Sequence, residues 1–257
     1  MNKRLYCVCA ALALVAAPCF AAGSSWDGTW KLNVAKSKFT GDTFTITTKG
    51  NTMQFSDGVV TYDFACDGKT YAMIADRTIT CTGSPATGYD YVSKAGNTVL
   101  SESHRAFSAD GKTLTMHGTS LRADGTKPEW TAVYKRQSGT SGLVGKWMSV
   151  KSEGAADTVI IQTKGDWIKT YSPDYKETVE GKMDGSHLPV TGPIVPPGVF
   201  QTIKPEGPNK LHYTTNYNDK VLNEGVQTLS ADGKTIVDEE WAPGKMNEKS
   251  TSVYERQ

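Results

Sequence analysis

Ser108-Ala109-Asp110-Gly111-Lys112-Thr113 recurs in this chain, with all six residues identical, as Ser230-Ala231-Asp232-Gly233-Lys234-Thr235. This stretch recurs at an offset of 122 residues, and three further landmarks recur at similar offsets. Small differences between the offsets indicate changes in loop length within one shared layout. The 257 residues are therefore predicted to form two tandem copies of one domain. Three more landmarks recur in the same order, at offsets of 115 to 120 residues: Gly28-Thr29-Trp30 with Gly145-Lys146-Trp147, Thr48-Lys49-Gly50 with Thr163-Lys164-Gly165, and Val133-Tyr134-Lys135-Arg136-Gln137 with Val253-Tyr254-Glu255-Arg256-Gln257.

The residue pattern within each copy is that of β-strands. Phe44 and Ile46 alternate with threonines, and Val60-Thr61-Tyr62-Asp63-Phe64 alternates again, which is typical of strands with one buried face. Long segments with helical periodicity are absent from the sequence. The pattern predicts an all-β protein of antiparallel barrels, with β-sandwiches as the alternative. Tight turns are indicated by Asp57-Gly58, Asp67-Gly68, Asp110-Gly111, Asp124-Gly125, Asp184-Gly185 and Asp232-Gly233.

The repeat sets the predicted domain ranges. Residues 26–137 are predicted to form the first barrel and residues 143–257 the second. The small, polar stretch at 138–142 lies between them and is typical of a flexible linker. Each copy is large enough to bury a hydrophobic core of its own.

The first 22 residues have the features of a cleavable signal peptide. Lys3 and Arg4 precede a short apolar run at 9–15, and the small residues Ala21 and Ala22 follow. The apolar run is too short to cross a membrane as a helix, which needs about 20 residues. We therefore expect a secreted or periplasmic protein without a transmembrane segment in its mature form.

Net charge and cysteine content limit the possible binding partners and indicate the cellular compartment. Removing Lys3 and Arg4 changes the formal net charge from +1 to −1, so the mature chain has no basic excess for binding nucleic acid. Only Cys66 and Cys81 remain after cleavage of the leader, and an exported protein permits a disulfide between them. Two buried thiols are the alternative.

Both copies open with Gly-x-Trp and end with an arginine two residues after a tyrosine. A closed barrel places its first and last strands side by side, so Arg136 is predicted to cover Trp30, and Arg256 to cover Trp147. This arrangement resembles the calycin superfamily of lipocalins and fatty-acid-binding proteins, whose first-strand Gly-x-Trp is covered by a late arginine. The resemblance implies two calycin-like barrels and a small ligand that is hydrophobic or amphipathic.

A longer stretch, Gly28-Thr29-Trp30-Lys31-Leu32-Asn33-Val34-Ala35-Lys36-Ser37-Lys38-Phe39, is similar to secreted proteins of soil bacteria such as acidobacteria. That family has no established activity, so the similarity supports export and fold alone. The second copy departs from it, with Met148-Ser149-Val150-Lys151 after its tryptophan.

Glu102, His104 and His117 are the candidate ligand-binding residues of the first copy. One hairpin register sets Glu102 opposite His117, and the other sets His104 opposite His117. Such a group can bind a polar ligand, transfer protons or hold a metal, and no metal site is predicted from it. The alternative is a solvated cross-strand cluster on an exposed face.

The corresponding residues of the second copy are Glu224 and Glu239. They are predicted to face each other, with Asp238 and Glu240 adjacent. Two facing carboxylates repel unless one is protonated or a cation lies between them, so a cationic ligand is one interpretation and a plain acidic edge is the other.

These observations favour a non-enzymatic binding protein. The rivals are a calycin-type hydratase, isomerase or lyase that uses Glu102 and His117, and an interaction module with filled barrels. No nucleophile elbow, zinc signature, phosphate loop or dinucleotide fingerprint occurs in the sequence, and no cofactor is predicted. Trp130, Trp167 and Trp241 are candidate ligand contacts at a barrel rim, with ordinary packing as the alternative.

Overall fold

The computed structural model describes residues 26–39, 41, 43–58 and 60–257. The predicted signal peptide lies outside these residues. The described residues form strands and turns without a helix, so the predicted all-β class is confirmed. The strands are β1 (Gly28–Leu32), β2 (Thr43–Lys49), β3 (Thr52–Ser56), β4 (Thr61–Phe64), β5 (Thr70–Ala72), β6 (Arg77–Ser84), β7 (Gly88–Ala95), β8 (Thr98–Phe107), β9 (Thr113–Ser120), β10 (Glu129–Ser138), β11 (Gly145–Glu153), β12 (Thr158–Lys164), β13 (Trp167–Ser172), β14 (Glu177–Lys182), β15 (Leu188–Thr191), β16 (Val199–Pro205), β17 (Lys210–Tyr217), β18 (Lys220–Leu229), β19 (Thr235–Trp241) and β20 (Ser250–Arg256).

The strands form two antiparallel sheets of ten strands each. The N-barrel is a nearly closed sheet in the order β4-β3-β2-β11-β10-β9-β8-β7-β6-β5. The C-barrel is fully closed and consists of β1 followed by β12 to β20. Consecutive strands are neighbours almost throughout, as expected when short turns join the strands of a meander.

The first strands of the two copies are exchanged. Trp30 on β1 pairs with Val159 and Arg256 in the C-barrel, whereas Trp147 on β11 pairs with Phe44 and Arg136 in the N-barrel. The predicted ranges 26–137 and 143–257 therefore each contribute one strand to the other sheet. The stretch predicted as a linker belongs to the hairpin loop between β10 and β11.

The exchange corrects the predicted arginine partners. Arg136 covers Trp147 at 4.1 Å from guanidinium carbon to ring centroid, and Arg256 covers Trp30 at 4.2 Å. The type of contact is as predicted, but the pairing is the reverse. Glycine is required at positions 28 and 145 of the repeated Gly-x-Trp motif, because both have a φ near +145° and a Cβ there would meet the covering arginine.

The segment after β1 crosses from one barrel to the other. Lys38 forms backbone hydrogen bonds with Thr251 of the C-barrel, and Phe39 accepts a hydrogen bond from the Ser149 hydroxyl of the N-barrel at 2.9 Å. These contacts fix the crossing, so β1 stays in the C-barrel while β2 starts the N-barrel.

The two interiors differ in composition. The N-barrel core contains a chain of contacting aromatic rings, whose centroids are 4.9 Å apart for Phe55 and Tyr62, 6.0 Å for Tyr62 and Phe64, and 5.9 Å for Phe64 and Tyr91. The C-barrel core is mainly aliphatic and has Trp30 fully buried at its base. Both interiors are therefore occupied largely by the protein's own side chains.

The N-barrel has a seam between β4 and β5, which do not pair. The predicted disulfide lies there, with the Cα atoms of Cys66 and Cys81 4.3 Å apart, and the Gly68 amide donates to the Cys81 carbonyl at 3.0 Å. In the C-barrel the equivalent strands β14 and β15 pair directly. The disulfide joins the connection after β4 to β6 beside this seam, whereas the C-barrel has a strand ladder at the equivalent place.

Replacing Trp30 tests the strand exchange. Trp30→Ala should destabilise the C-barrel by about 3–5 kcal/mol, because it empties a fully buried tryptophan site. Hydrogen exchange followed by mass spectrometry should then show faster exchange in residues 158–256 and unchanged protection in residues 43–138. Trp147→Ala should give the opposite pattern, and loss of protection in the same half as the mutation would contradict the exchange.

Removing the disulfide tests the seam. Cys66→Ser with Cys81→Ser should lower the free energy of unfolding of the N-barrel by about 3 kcal/mol, because the bond closes a loop of 15 residues. Denaturant titration of the double variant and of the unchanged oxidised chain measures the loss, and hydrogen exchange locates it. Equal destabilisation of residues 158–256 would argue against a role confined to the seam.

Candidate functional site

Glu102 lies on the outer face of the N-barrel. Its side chain is exposed, it pairs across the hairpin with Thr119, and its carboxylate contacts the Lys127 ammonium at 3.2 Å. The structure therefore places Glu102 in solvent and away from the barrel interior.

His104 and His117 lie on the same outer face. They are opposite each other, as in the second of the two registers considered. Each is exposed and has its own partner: His104 Nδ1 is 2.8 Å from Asp90 Oδ1, and His117 Nδ1 is 3.0 Å from Thr131 Oγ1. The two histidines share a face with Glu102 without forming a joint site with it.

Glu224 and Glu239 also lie on an outer face, that of the C-barrel. They are not directly opposed, because Glu224 pairs with Trp241 and Glu239 with Val226. Glu239 forms an ion pair with Lys249 at 2.5 Å. Both glutamates line an open depression of about 380 Å³ on this face.

The carboxylates that enter the C-barrel are Asp238 and Glu240. The Tyr213 hydroxyl lies 3.0 Å from Asp238 Oδ1 and 3.1 Å from Glu240 Oε2, so it bridges the two acids. Gln227 donates its amide to Asp238 Oδ2 at 3.0 Å. These residues form a polar group that we call the acid–tyrosine cluster: Tyr213, Gln227, Asp238 and Glu240.

Burial sets the protonation behaviour of this cluster. Asp238 is surrounded mostly by protein, although a small part of its surface remains accessible to solvent. Desolvation raises the pKa of Asp238 to about 6, and the hydrogen bonds from Gln227 and Tyr213 oppose that rise. Burial also raises the pKa of Tyr213 well above its ordinary value, with the charges of Asp238 and Glu240 adding to the shift.

The N-barrel has the opposite polarity at the equivalent positions. Tyr91 corresponds to Tyr213, and Arg105 to Gln227, at the constant offset of 122 residues. The Arg105 guanidinium covers the Tyr91 ring at 3.5 Å. Three buried donors here, Tyr91 Oη, Arg105 Nε and Trp130 Nε1, have no well-aligned hydrogen-bond acceptor among the described residues. One copy is thus rich in donors where the other is rich in acceptors.

A cavity of about 360 Å³ lies between the two barrels. We call it the inter-barrel cavity. The N-barrel supplies an aromatic wall of Phe44, Phe55 and Tyr134, while the C-barrel supplies a mixed wall that includes Asn223 and Glu240. The described residues that line it are Thr43, Phe44, Phe55, Asp57, Tyr134, Leu222, Asn223, Glu240, Trp241, Ala242, Lys245, Glu248 and Ser250.

Two polar features mark the walls of this cavity. Lys245 donates from its ammonium to Thr43 Oγ1 at 2.9 Å and to the Asp57 carbonyl at 3.2 Å, with Glu248 at 3.6 Å. Asn223 Oδ1 is buried and accepts no hydrogen bond from the described protein groups. A buried acceptor without a donor is unfavourable by about 1–3 kcal/mol, which a bound donor removes.

Trp241 is the one predicted rim tryptophan that lines the cavity, whereas the residues that give it polarity were missed. Strand alternation along β19 could have predicted them. Ile236 is buried, and side chains two residues apart share a face, so Asp238 and Glu240 must point inward with it. Glu239 lies on the other face for the same reason.

No family model, curated protein or solved structure matches this chain. Across the described residues, no cluster of three or more histidine, cysteine, aspartate or glutamate side chains has a geometry that could hold a metal ion. The same residues contain no helix long and apolar enough to span a membrane.

Asp238→Asn tests the environment of the buried carboxyl. Because the pKa of Asp238 is higher in the folded state than in the unfolded state, this carboxyl lowers stability as pH rises from about 4 to above 6. The variant should therefore gain stability relative to the unchanged chain across this range, by at most about 3 kcal/mol. Denaturant titrations at several pH values measure the difference, and a gain independent of pH would contradict the assignment.

Proposed function

We propose that this chain is an exported binding protein that holds a small amphipathic molecule in the inter-barrel cavity. The observation that carries the proposal is the composition of the cavity walls, aromatic on one side and polar on the other. A volume of about 360 Å³ lies within the usual range for small-molecule sites.

The aromatic wall suits the apolar part of such a ligand. Phe44 contacts Phe55 with ring centroids 5.5 Å apart and Tyr134 at 5.0 Å, so the three rings form one continuous surface. Their mutual packing holds the rings in place before a ligand arrives, which lowers the entropy cost of binding.

The polar wall suits a hydrogen-bond donor. Asn223 Oδ1 and the Glu240 carboxylate are acceptors on the C-barrel side of the cavity. A ligand with a donor at one end and an apolar body can satisfy both walls at once. The proposed site therefore lies in the space between the barrels and not inside each barrel.

Export supports the same function. The amino-terminal features predict a leader, and the Cys66–Cys81 bond is compatible with an oxidising compartment outside the cytoplasm. Catalysis by Glu102 and His117 has no support in this geometry, since each contacts a separate partner on an outer face.

Binding can be tested on the mature chain. Native mass spectrometry of the purified protein should reveal a bound small molecule, and a thermal-shift panel of lipids, terpenoids, aromatic amines and sugars should identify stabilising compounds. Asn223→Leu should weaken binding about tenfold, because it removes a buried acceptor from the cavity wall. Fluorescence or calorimetric titration of the best panel compound measures the loss.

Glu224→Gln is the matched control, because this neighbour of Asn223 lies on the outer face and should leave affinity unchanged. The absence of both a co-purified molecule and any thermal shift would refute the proposal. Equal effects of the two substitutions would place the site elsewhere.

A further inference from the structure

We propose that the ligand of the inter-barrel cavity is an uncharged, flat aromatic molecule that carries a hydroxyl or N–H donor on its ring. This inference rests on the proposed function and specifies the chemical class of the ligand. Three features of the described lining carry it: rings from both barrels, charged side chains that already have partners, and one buried acceptor that has none.

The cavity has aromatic side chains on both sides. The N-barrel contributes Phe44, Phe55 and Tyr134, and the C-barrel contributes Trp241. The planes of Phe44 and Phe55 meet at 25°, whereas those of Phe44 and Tyr134 meet at 68°. Aromatic rings attract a further ring in both offset-stacked and edge-to-face arrangements, and an aliphatic body of equal area lacks this gain. The lining therefore favours an aromatic ligand over an aliphatic one of the same size.

Lys245 is the only basic residue among the described residues that line the cavity, and its charge is compensated. Its ammonium donates to Thr43 Oγ1 at 2.9 Å and to the Asp57 carbonyl at 3.2 Å, and it lies 3.6 Å from the Glu248 carboxylate. The Thr43 hydroxyl in turn donates to Glu248 at 3.1 Å. These contacts form a closed group, so an anionic ligand would have to break it to reach the cation.

The carboxylates of the lining also have partners. Glu248 is the ionic partner of that ammonium, and Asp57 Oδ1 accepts a hydrogen bond from the Val60 amide at 2.8 Å. Glu240 Oε2 lies 3.1 Å from the Tyr213 hydroxyl, and both Glu240 and Asp57 have further interactions within the chain. A cationic ligand would therefore compete with existing contacts, whereas an uncharged ligand leaves them intact.

Asn223 differs from these charged groups. Its Oδ1 is the one buried side-chain polar atom of the described lining that has no hydrogen-bond partner. The torsion that orients an asparagine amide has a broad energy minimum, so this oxygen can turn toward a donor in the cavity. A carbonyl oxygen only accepts hydrogen bonds, so the complementary ligand group is a donor. A ring hydroxyl or N–H supplies that donor without bringing a charge.

The test uses probes on one bicyclic skeleton. 2-Naphthol is flat and has a donor, 2-methylnaphthalene is flat without a donor, and decahydro-2-naphthol carries the donor on a puckered aliphatic skeleton. Naphthalen-2-ylmethylamine and 2-naphthoate are the charged analogues at pH about 7. The fluorescence of 2-naphthol reports its binding to the mature chain, and the other probes are ranked by their displacement of it.

We expect 2-naphthol to bind most tightly of the five probes. Its affinity should exceed that of 2-methylnaphthalene about tenfold, because only the hydroxyl satisfies Asn223. It should exceed that of decahydro-2-naphthol by about threefold to tenfold, because only the flat rings gain the aromatic contacts. Both charged analogues should bind more weakly than 2-naphthol.

Two substitutions with matched controls separate the two contributions. Asn223→Leu should remove the advantage of 2-naphthol over 2-methylnaphthalene and leave binding of 2-methylnaphthalene intact. Phe55→Leu should reduce the advantage of 2-naphthol over decahydro-2-naphthol. The controls are Glu224→Gln, on the outer face beside Asn223, and Met53→Leu, which lies two residues before Phe55 on β3 and outside the described lining. Both controls should behave like the unchanged chain.

The outcomes distinguish this inference from the proposed function. Equal binding of 2-naphthol and 2-methylnaphthalene would refute the donor, and equal binding of 2-naphthol and decahydro-2-naphthol would refute the aromatic body. Tighter binding of either charged analogue would refute an uncharged ligand. If no probe binds but the broad panel gives a compound whose affinity Asn223→Leu lowers, the inference is refuted and the proposed function holds. If the panel also gives no thermal shift, both fall.

Discussion

At the base of each barrel a tryptophan lies under an arginine of the neighbouring strand: β11 lies beside β10 in the N-barrel, and β1 lies beside β20 where the C-barrel closes. The Arg136–Trp147 and Arg256–Trp30 contacts lie at about 4 Å, and each guanidinium also donates to backbone carbonyls around the closure. Since the tryptophan of the C-barrel precedes the whole N-barrel in sequence, this closure requires the chain to cross between barrels. The exchange therefore fastens the two barrels together.

A second set of contacts links the two barrels. Arg122 follows β9 of the N-barrel and reaches Asp157 at 2.7 Å and Asp174 at 3.1 Å, both in the C-barrel half of the chain. The guanidinium is only 16% exposed, and the Ala123 amide donates to the Asp174 carbonyl beside it. Two chain crossings and this ion-pair group fix the geometry of the inter-barrel cavity, which needs both barrels for its walls.

The sequence pattern could predict the strands and the type of closure but not the exchange. Gly28-Thr29-Trp30 and Gly145-Lys146-Trp147 present the same features to either barrel, so the local motif fits both pairings equally. The pairing depends instead on the crossing segment, where Lys38 and Phe39 contact different barrels. Contacts of that kind have no signature in hydrophobic periodicity. The repeat itself concealed the exchange, because exchanged and unexchanged arrangements contain the same strands in equivalent positions.

The candidate site illustrates the same limit on a smaller scale. Alternation correctly grouped Glu102, His104 and His117 on one face, and one of the two hairpin registers was the observed one. The inward face of β9 is the one that carries Leu114 and Met116, which are buried. His117 has the opposite parity on this strand and therefore points outward. The acids that enter the C-barrel were next to the predicted pair, one residue away on the strand. In a β-strand one residue is the whole difference between solvent and core.

Duplication explains why the two interiors could diverge so far. Each copy must keep a core that folds, but the two cores need not be alike. The N-barrel core has aromatic rings and Arg105, whereas the C-barrel core has aliphatic residues and two acids. The aromatic wall and the acceptor wall of the cavity come from different copies. Neither copy alone supplies both walls of the cavity, so the proposed site for a ligand of mixed character needs both copies. Strand exchange holds the two walls of the cavity together, because each barrel contains a strand from the other copy.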